Sequence, residues 1–509
     1  MGQEADGPEL EPVDGSLPPA AEELLDRLLS PEKHASLDDK RWQYVDWKGK
    51  QLSVPDIALL GQHILMPRPQ TAKIRNLDLS GSLTVRAPDG SHAGVSALAR
   101  VFLAGALPSL RDLTLSENAL GDDDGVRLVA ALSDAEFASS LELLKLQGND
   151  LGDKFARALS GGDLPELTAV YLSDNKISDQ GAACIANGSR PRLSRIQLQN
   201  NLFGDEAVDA LGKAAAEPEG PMSSLIYVTL DSYQHNLVDL RNKETIVRIG
   251  GAITKLDLAG QDDQGKARDP MSNLDLQFVC WFLRQPGRMV KLDLFKLHEN
   301  QIGAAGCSAL ADVMCDEHAD SLRSLGQLHL TSNPVGDMGA KLLMAPMSSG
   351  GAAALPNLRE LHLGSCGIGD KGAAAVAKAL ASEGACQHLK LLSLGQNKIA
   401  DDGCTAIADA IQTPGAVPVL TGLYLGRNAI SDAGGVALAS TLAATFNGIA
   451  LHPVPCAPML AQLHLFGNRL TSVSQAAIES ATKARNQGQD ASSAAKRAAK
   501  RTELVVELQ

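Results

Sequence analysis

The sequence predicts an α/β solenoid, in which short parallel β-strands and α-helices alternate along a repeated unit. Three observations lead to this fold class. The pattern L-x-x-L-x-L-x-x-N-x-L recurs along the chain, a helix signal follows most copies, and copies that begin at residues 292, 325, 358, 389 and 420 lie 31 to 33 residues apart. Self-similarity at a period of this length is the sequence signature of a repeat architecture.

The repeated pattern sets the expected organisation of the chain. Clear copies begin at Leu110, Leu141, Leu167, Leu193, Leu292, Leu325, Leu358, Leu389, Leu420 and Leu460. Weaker copies begin at Trp42, Ile74, Leu225 and Ile253. We therefore expect a solenoid of about 13 to 14 units over residues 42–483. An acidic, partly disordered segment with a short helix precedes it at 1–41, and a basic helical tail or cap follows at 484–509.

Each part of the pattern has a physical reason. The apolar residues of L-x-L share one face of a short strand, because side chains alternate along a strand. The asparagine follows where the chain leaves the strand, and its amide can bond to backbone groups of the turn. We therefore predict a ladder of framework asparagines rather than catalytic residues. Cys366 takes the asparagine position in one copy.

A helix signal follows the asparagine position. Serine or aspartate begins the predicted helix as its cap, more acid occupies the first turn, and apolar residues recur every three or four positions. Examples are residues 121–132, 178–186, 369–381, 400–411 and 431–443. One strand and one helix cannot bury enough apolar surface to fold alone, so the units must stack. We expect the parallel strands on the concave face of a horseshoe and the helices on its convex face.

Long units with a G-D-x-G-A helix start, as at residues 369–373, resemble those of the ribonuclease-inhibitor-type leucine-rich-repeat family. In this respect the chain is similar to the leucine-rich domains of NOD-like receptors and to the Ran GTPase-activating protein. The resemblance covers about residues 42–483. It implies a leucine-rich-repeat horseshoe that binds a protein partner in the cytoplasm.

Composition excludes several classes of protein. The net charge of −14 argues against nucleic-acid binding, which needs a basic face. The eight cysteines form no C-x-x-C pair, so zinc-finger or thioredoxin-like chemistry is not expected, and their sparse spacing fits a reducing compartment. The N-terminus has no apolar core and no stretch approaches 18 apolar residues, so we expect no secretory signal and no membrane insertion. A cytoplasmic monomer is the expectation.

Enzyme motifs are absent from the sequence. It contains no P-loop, no G-x-S-x-G elbow and no H-E-x-x-H motif, and no cofactor is expected. We therefore predict a non-catalytic interaction module or scaffold. A GTPase-activating protein for a small GTPase is one alternative, although the tail after the repeats is basic where that class carries an acidic one. A sensor fragment of the NOD-like-receptor type, without its nucleotide-binding domain, is the other.

The residue between the two strand leucines points away from the helices, onto the predicted concave face. In the C-terminal half this position carries several ring residues, and further ring or basic residues follow two or three places on. Tyrosine and arginine are enriched at binding hot spots. The predicted partner-binding residues are His329, His362, Tyr424, Arg427, His464 and Phe466, with Tyr171 in the N-terminal half.

Other candidate sites carry less weight. His329 and His362 should lie about 5 Å apart on neighbouring strands, where two imidazoles could hold a metal ion. Ser393 stands where the next strand would supply a third ligand, so no metal site is predicted. Insertions at 232–251, 261–273 and 445–459 are of open role, and the basic run at 496–501 is either a solvated helix face or a nuclear signal.

Overall fold

The computed structural model describes most of the chain, with gaps. The described residues are 17–28, 43–67, 71–86, 92–134, 140–188, 192–217, 220–231, 234–236, 247–249, 253–260, 267, 269–284, 292–316, 321–348, 354–444, 460–490 and 504–508. Trp42, the basic run 496–501, the insertion 445–459 and most of the other two insertions lie outside the described residues.

Short strands recur at the predicted positions, and most carry a buried central residue between two less buried ones. The strands are β1 (Tyr44–Asp46), β2 (Asn76–Asp78), β3 (Asp112–Thr114), β4 (Leu143–Lys145), β5 (Ala169–Tyr171), β6 (Arg195–Gln197), β7 (Tyr227–Thr229), β8 (Gln234–Asn236), β9 (Val247–Ile249), β10 (Ile253–Asp257), β11 (Leu292–Lys296), β12 (Gln327–His329), β13 (Glu360–His362), β14 (Leu391–Ser393), β15 (Gly422–Tyr424), β16 (Gln462–His464) and β17 (Val505–Glu507).

Helices alternate with these strands, as the periodicity predicts. They are α1 (Pro19–Leu28), α2 (Val54–Leu59), α3 (Ala93–Leu103), α4 (Asp122–Ser133), α5 (Asp153–Gly161), α6 (Asp179–Asn187), α7 (Asp205–Ala216), α8 (Asn273–Leu283), α9 (Ala304–Cys315), α10 (Gly336–Ser348), α11 (Asp370–Ala381), α12 (Asp401–Gln412), α13 (Asp432–Ala444) and α14 (Ser472–Asp490). None of these helices, within the described ranges, is long and apolar enough to cross a membrane.

The chain divides into two compact units, Met1–Val228 and Thr229–Gln509. In the first unit, β1 to β6 pair in parallel and in chain order. In the second, β10 to β17 do the same, while β9 pairs antiparallel with β10. Parallel strands alternating with helices confirm the predicted α/β leucine-rich-repeat solenoid.

The weakest repeat copies also form their predicted elements. The copy at Trp42 contributes β1, and Val45 and Trp47 are both buried there. At the other end of the chain, the apolar run at 504–508 contributes β17, which pairs in parallel with β16. The copy at Trp42 forms a strand because the buried alternation matters more than the exact leucines. In β17 the three strand residues are exposed or half-buried, and Leu504 just before them is buried.

The asparagine ladder is present and acts as framework. In most units that have this residue, the amide nitrogen donates to a leucine carbonyl of its own unit and to one of the preceding unit, as Asn397 does to Leu394 and Leu363. Its Oδ1 accepts backbone N–H groups of the preceding unit, here from Cys366 and Ile368. The side chain therefore satisfies turn groups that have no partner in a strand.

The acidic residues at the helix starts differ from the prediction. They were expected to cap their own helices, but they bind mainly to the start of the helix in the next unit. Asp153 at the start of α5 accepts the backbone N–H groups of Ser178 and Gly181 at 2.8 and 3.0 Å. Asp370 accepts those of Ala400 and Gly403 in the same way. The N-terminal amides of one helix are thus satisfied by a neighbouring unit, which links the units along the stack.

Candidate partner-binding surface

The last residue of each strand points away from the helices, and the parallel register aligns these residues into a row. Such a row can present a continuous set of side chains to a partner, because neighbouring strands lie about 4.8 Å apart. In the second unit the row consists of Asp257, Lys296, His329, His362, Ser393, Tyr424, His464 and Glu507. The register therefore places four predicted site residues in a single row.

His329 and His362 are in direct contact and are called the histidine pair below. Their ring centroids lie 4.1 Å apart and the rings are tilted by 44°. Burial, reinforced by the neighbouring His362, lowers the pKa of His329 to about 4, so this imidazole is neutral at pH 7. Its Nε2 is buried and has no hydrogen-bond partner within the described part of the chain. Nε2 of His362 lies 3.2 Å from Oε2 of Glu360.

A second cluster, called the aromatic surface below, consists of Tyr424, Arg427, His464 and Phe466. The Tyr424 and His464 rings are 4.1 Å apart between centroids and are tilted by 32°. The Phe466 ring lies 6.3 Å from that of His464, and the Arg427 guanidinium carbon lies 5.7 Å from the centre of the Phe466 ring. The three rings, with the Arg427 guanidinium over the Phe466 ring, form one contiguous and partly exposed patch.

Neighbouring polar groups orient the rings of the aromatic surface. The Tyr424 hydroxyl donates to Oε1 of Gln462 at 2.7 Å, and Nδ1 of His464 lies 3.2 Å from a Glu507 carboxylate oxygen. The Phe466 ring lies over Gly426, where a Cβ atom would come within 2.9 Å of it. The surface is therefore preorganised by contacts to two neighbouring strands and to one glycine, which lowers the entropy lost when a partner binds.

Ser393 separates the two clusters. It stands between His362 and Tyr424 in the register, so their strands are two steps apart, about 10 Å. The predicted residues of the second unit thus form two contacting groups and not one continuous stack of rings.

Tyr171 lies in the first unit and belongs to neither cluster. Its neighbours in the register are Lys145 and Gln197. The Lys145 ammonium lies 5.8 Å from the centre of the Tyr171 ring, and Arg195 donates a long hydrogen bond of 3.4 Å to the Tyr171 hydroxyl. This position is cationic on both sides, so its surroundings differ in charge from those of the aromatic surface.

Sequence reasoning missed three residues that contact the predicted site, namely Glu360, Gln462 and Glu507. Glu360 precedes His362 by two positions, and Gln462 precedes His464 by two. Residues two apart on a strand share a face, so the same alternation that selected the rings could have found both. Glu507 carries a weaker signal, because it lies in β17, far along the chain from the last complete copy of the pattern.

The buried cysteines are not candidate nucleophiles. Burial raises the pKa of Cys280, Cys307, Cys386 and Cys404 to about 12. The thiolate is the reactive form of cysteine, so these side chains act as small apolar core residues at neutral pH.

Comparison with known proteins agrees with this architecture. Segments that match a family model described as Leucine Rich repeat are 165–186, 321–344, 354–377, 385–408 and 418–439. Each matched segment holds one strand, one asparagine position and the start of one helix. A search of curated proteins gave no match.

Solved structures resemble the chain only loosely. An internalin from Listeria monocytogenes has 16% identity and a TM-score of 0.27, over 80% of this chain and 86% of that chain. A leucine-rich-repeat protein from Leptospira interrogans has 14% identity and a TM-score of 0.27, over 91% and 96%. The matched repeats, with the strand and helix in each of them, support placing the chain in the leucine-rich-repeat family.

Proposed function

We propose that this protein is a non-catalytic interaction module of the ribonuclease-inhibitor type, and that it binds a protein partner on the open sheet face of its second unit. Leucine-rich-repeat proteins generally act as protein-interaction modules. The observation that carries the proposal is the aromatic surface, where three rings and Arg427 lie next to one another on two neighbouring strands and the turns after them. Aromatic residues and arginine are the residue types that dominate binding energy at protein interfaces.

The chemistry of the aromatic surface indicates what the partner presents. The rings offer flat apolar area, while Arg427 is exposed and offers guanidinium donors at one edge. An apolar side chain of the partner would pack on the rings, and a carboxylate beside it would pair with Arg427. Because the chain carries a net charge of −14, a nucleic acid would be repelled over longer distances. A monomer acting in the cytoplasm is the setting we propose.

A matched pair of variants tests this function. The sheet-face variant combines Tyr424→Ala, Arg427→Ala and Phe466→Ala, which leaves the histidine pair intact. The helix-face variant combines Met338→Ala and Val436→Ala, two apolar side chains that are exposed on helices of the same unit. Quantitative recovery of native proteins on the intact chain and on both variants is the measurement. We expect a partner that the sheet-face variant loses and the helix-face variant keeps.

Equal recovery by all three proteins, with each shown to be folded by circular dichroism, would place binding away from the aromatic surface. Stimulated GTP hydrolysis by a small GTPase in the presence of the chain would instead favour the GTPase-activator alternative.

A further inference from the structure

Three groups that can ligate a metal ion meet on the sheet face beside the aromatic surface. The register places His329 next to His362, and Glu360 lies two residues before His362 on the same face of β13. One ligand atom from each of the three residues lies within 4.8 Å of the other two. The Glu360 Oε2 and His362 Nε2 atoms are closer still, at 3.2 Å.

His329 supplies a second, independent observation. Its Nε2 is a buried polar atom that no described residue hydrogen-bonds. A buried polar atom without a partner is costly, and a metal ion is one partner that would satisfy it.

We propose that His329, Glu360 and His362 form a binding site for a divalent transition-metal ion, with Zn²⁺ the ion that fits this donor set. Two imidazole nitrogens and one carboxylate oxygen are ligands that Zn²⁺ prefers, whereas Mg²⁺ and Ca²⁺ prefer oxygen alone. All three side chains are half-exposed. Three protein ligands therefore leave a further position open to water or to a donor of another molecule.

The charged neighbours of the site are compatible with a cation. Lys296 stands next to His329 in the register, but its ammonium lies 3.5 Å from the Asp257 carboxylate. On the other side Ser393 is neutral. His298 is also close enough to influence the charge of His329. The negative charge of Glu360 thus faces the two imidazoles without a cation paired to it on its own strand.

Calorimetric titration with Zn²⁺ tests the site. The reference protein is the full chain with Cys315→Ser, since Cys315 is the exposed cysteine among those described and a thiolate is a ligand type that Zn²⁺ accepts. His329→Gln, Glu360→Gln and His362→Gln are then made on this background. Removing a residue that only orients a metal ligand weakens metal binding about tenfold or more, and removing the ligand itself should weaken it at least as much. Each variant should therefore bind Zn²⁺ at least about tenfold more weakly.

His464→Gln is the matched control. His464 also lies on the sheet face beside a carboxylate, that of Glu507, but among the described residues no second histidine completes a set of three there. This control should keep the affinity for Zn²⁺ of the reference protein. Replacing Zn²⁺ by Mg²⁺ should give no binding.

Urea unfolding in the presence of a chelator shows whether each variant is folded. Addition of Zn²⁺ should then raise the unfolding midpoint of the reference protein and of His464→Gln, but not that of the three ligand variants. A reference protein that binds no Zn²⁺, or Zn²⁺ binding that survives all three ligand substitutions, would overturn the proposal. The site does not depend on the proposed function, because the sheet-face variant, which removes the aromatic surface, keeps all three ligands.

Discussion

In several units a glycine near the helix start lies against an aspartate of the preceding unit. The backbone N–H of Gly181 donates to Oδ1 of Asp153 in the preceding unit, and a Cβ atom on Gly181 would lie 2.4 Å from that oxygen. Gly372 and Gly403 stand in the same relation to Asp337 and Asp370. At these three helix starts the carboxylate of one unit lies where a methyl group of the next would stand. Phe155 and Ala207 make the equivalent bond to Asp122 and Asp179 with a side chain present, so the steric constraint belongs to these glycines and not to every unit.

Replacing this glycine should therefore destabilise the protein. We expect Gly181→Ala to lower the free energy of unfolding by about 1–3 kcal/mol, the usual cost of forcing a methyl group into a filled space. Gly161→Ala is the control, because nothing lies within 4 Å of its Cβ position and it ends helix α5. That substitution should leave stability unchanged or raise it by less than about 1 kcal/mol. Urea unfolding measures both, and equal losses in the two variants would remove the steric explanation.

We expect His92 to make the stability of the protein depend on pH. Burial lowers its pKa, and its Nε2–H donates to the carbonyl of Asn118, which leaves the buried Nδ1 without a partner. A proton on Nδ1 would also lie at the N-terminal end of α3, where the helix dipole disfavours a cation. The folded state therefore favours the neutral ring more than the unfolded chain does.

The sign of this effect follows from linkage. Above the ordinary histidine pKa of 6.5, the ring is neutral in both the folded and the unfolded chain, and the contribution of His92 to the free energy of unfolding is fully present. As the pH falls below 6.5 the unfolded chain takes up the proton first, so stability should decrease. Urea midpoints at pH 7.5 and pH 5.5 measure this for the intact chain and for His92→Gln. A variant that loses as much stability between the two pH values as the intact chain would exclude His92 as the cause.

At the scale of the element, the sequence predicted where strands and helices lie, because apolar spacing determines both. The predicted helix signal at 400–411 became the helix Asp401–Gln412. The direction of the helix-start hydrogen bonds could not be predicted, since the acceptor belongs to a neighbouring unit and no local pattern shows it.

The hydrogen bonds around Cys366, which takes an asparagine position, could not be predicted from the repeat pattern either. Its thiol donates to the carbonyl of Leu330, as the asparagine amide does in other units. A thiol has no amide oxygen to accept the backbone N–H of Val335 in the preceding unit, and that N–H donates to the backbone carbonyl of Asn333 instead.

The asparagine ladder gives the prediction that belongs to this scale. Asn397→Ala would leave the backbone N–H groups of Cys366 and Ile368 without their acceptor. Because each stranded buried group costs about 1–3 kcal/mol, unfolding free energy should fall by about 2 kcal/mol or more. Asn357→Ala is the control, as that exposed side chain makes one bond, to the carbonyl of Arg323. Urea unfolding that shows no difference between the two variants would mean that the ladder adds nothing to stability.

At the scale of the whole molecule, register explains how much of the candidate site could be predicted. Counting one outward position per strand was enough to place His329 beside His362 and Tyr424 beside His464. It also placed Ser393 beside His362, but it did not show that Tyr171 belongs to a different compact unit. The identity of a partner is beyond such reasoning, because exposed positions on one scaffold can vary freely in sequence.

The most direct test of the central proposal is the affinity of a purified, captured partner for three forms of the chain. These are the intact protein, the sheet-face variant with Tyr424→Ala, Arg427→Ala and Phe466→Ala, and the helix-face variant with Met338→Ala and Val436→Ala. We predict that the sheet-face variant binds at least about 30-fold more weakly, since hot-spot truncations cost about 2 kcal/mol or more, and that the helix-face variant binds as the intact chain does. An unchanged dissociation constant for a folded sheet-face variant would contradict the proposal.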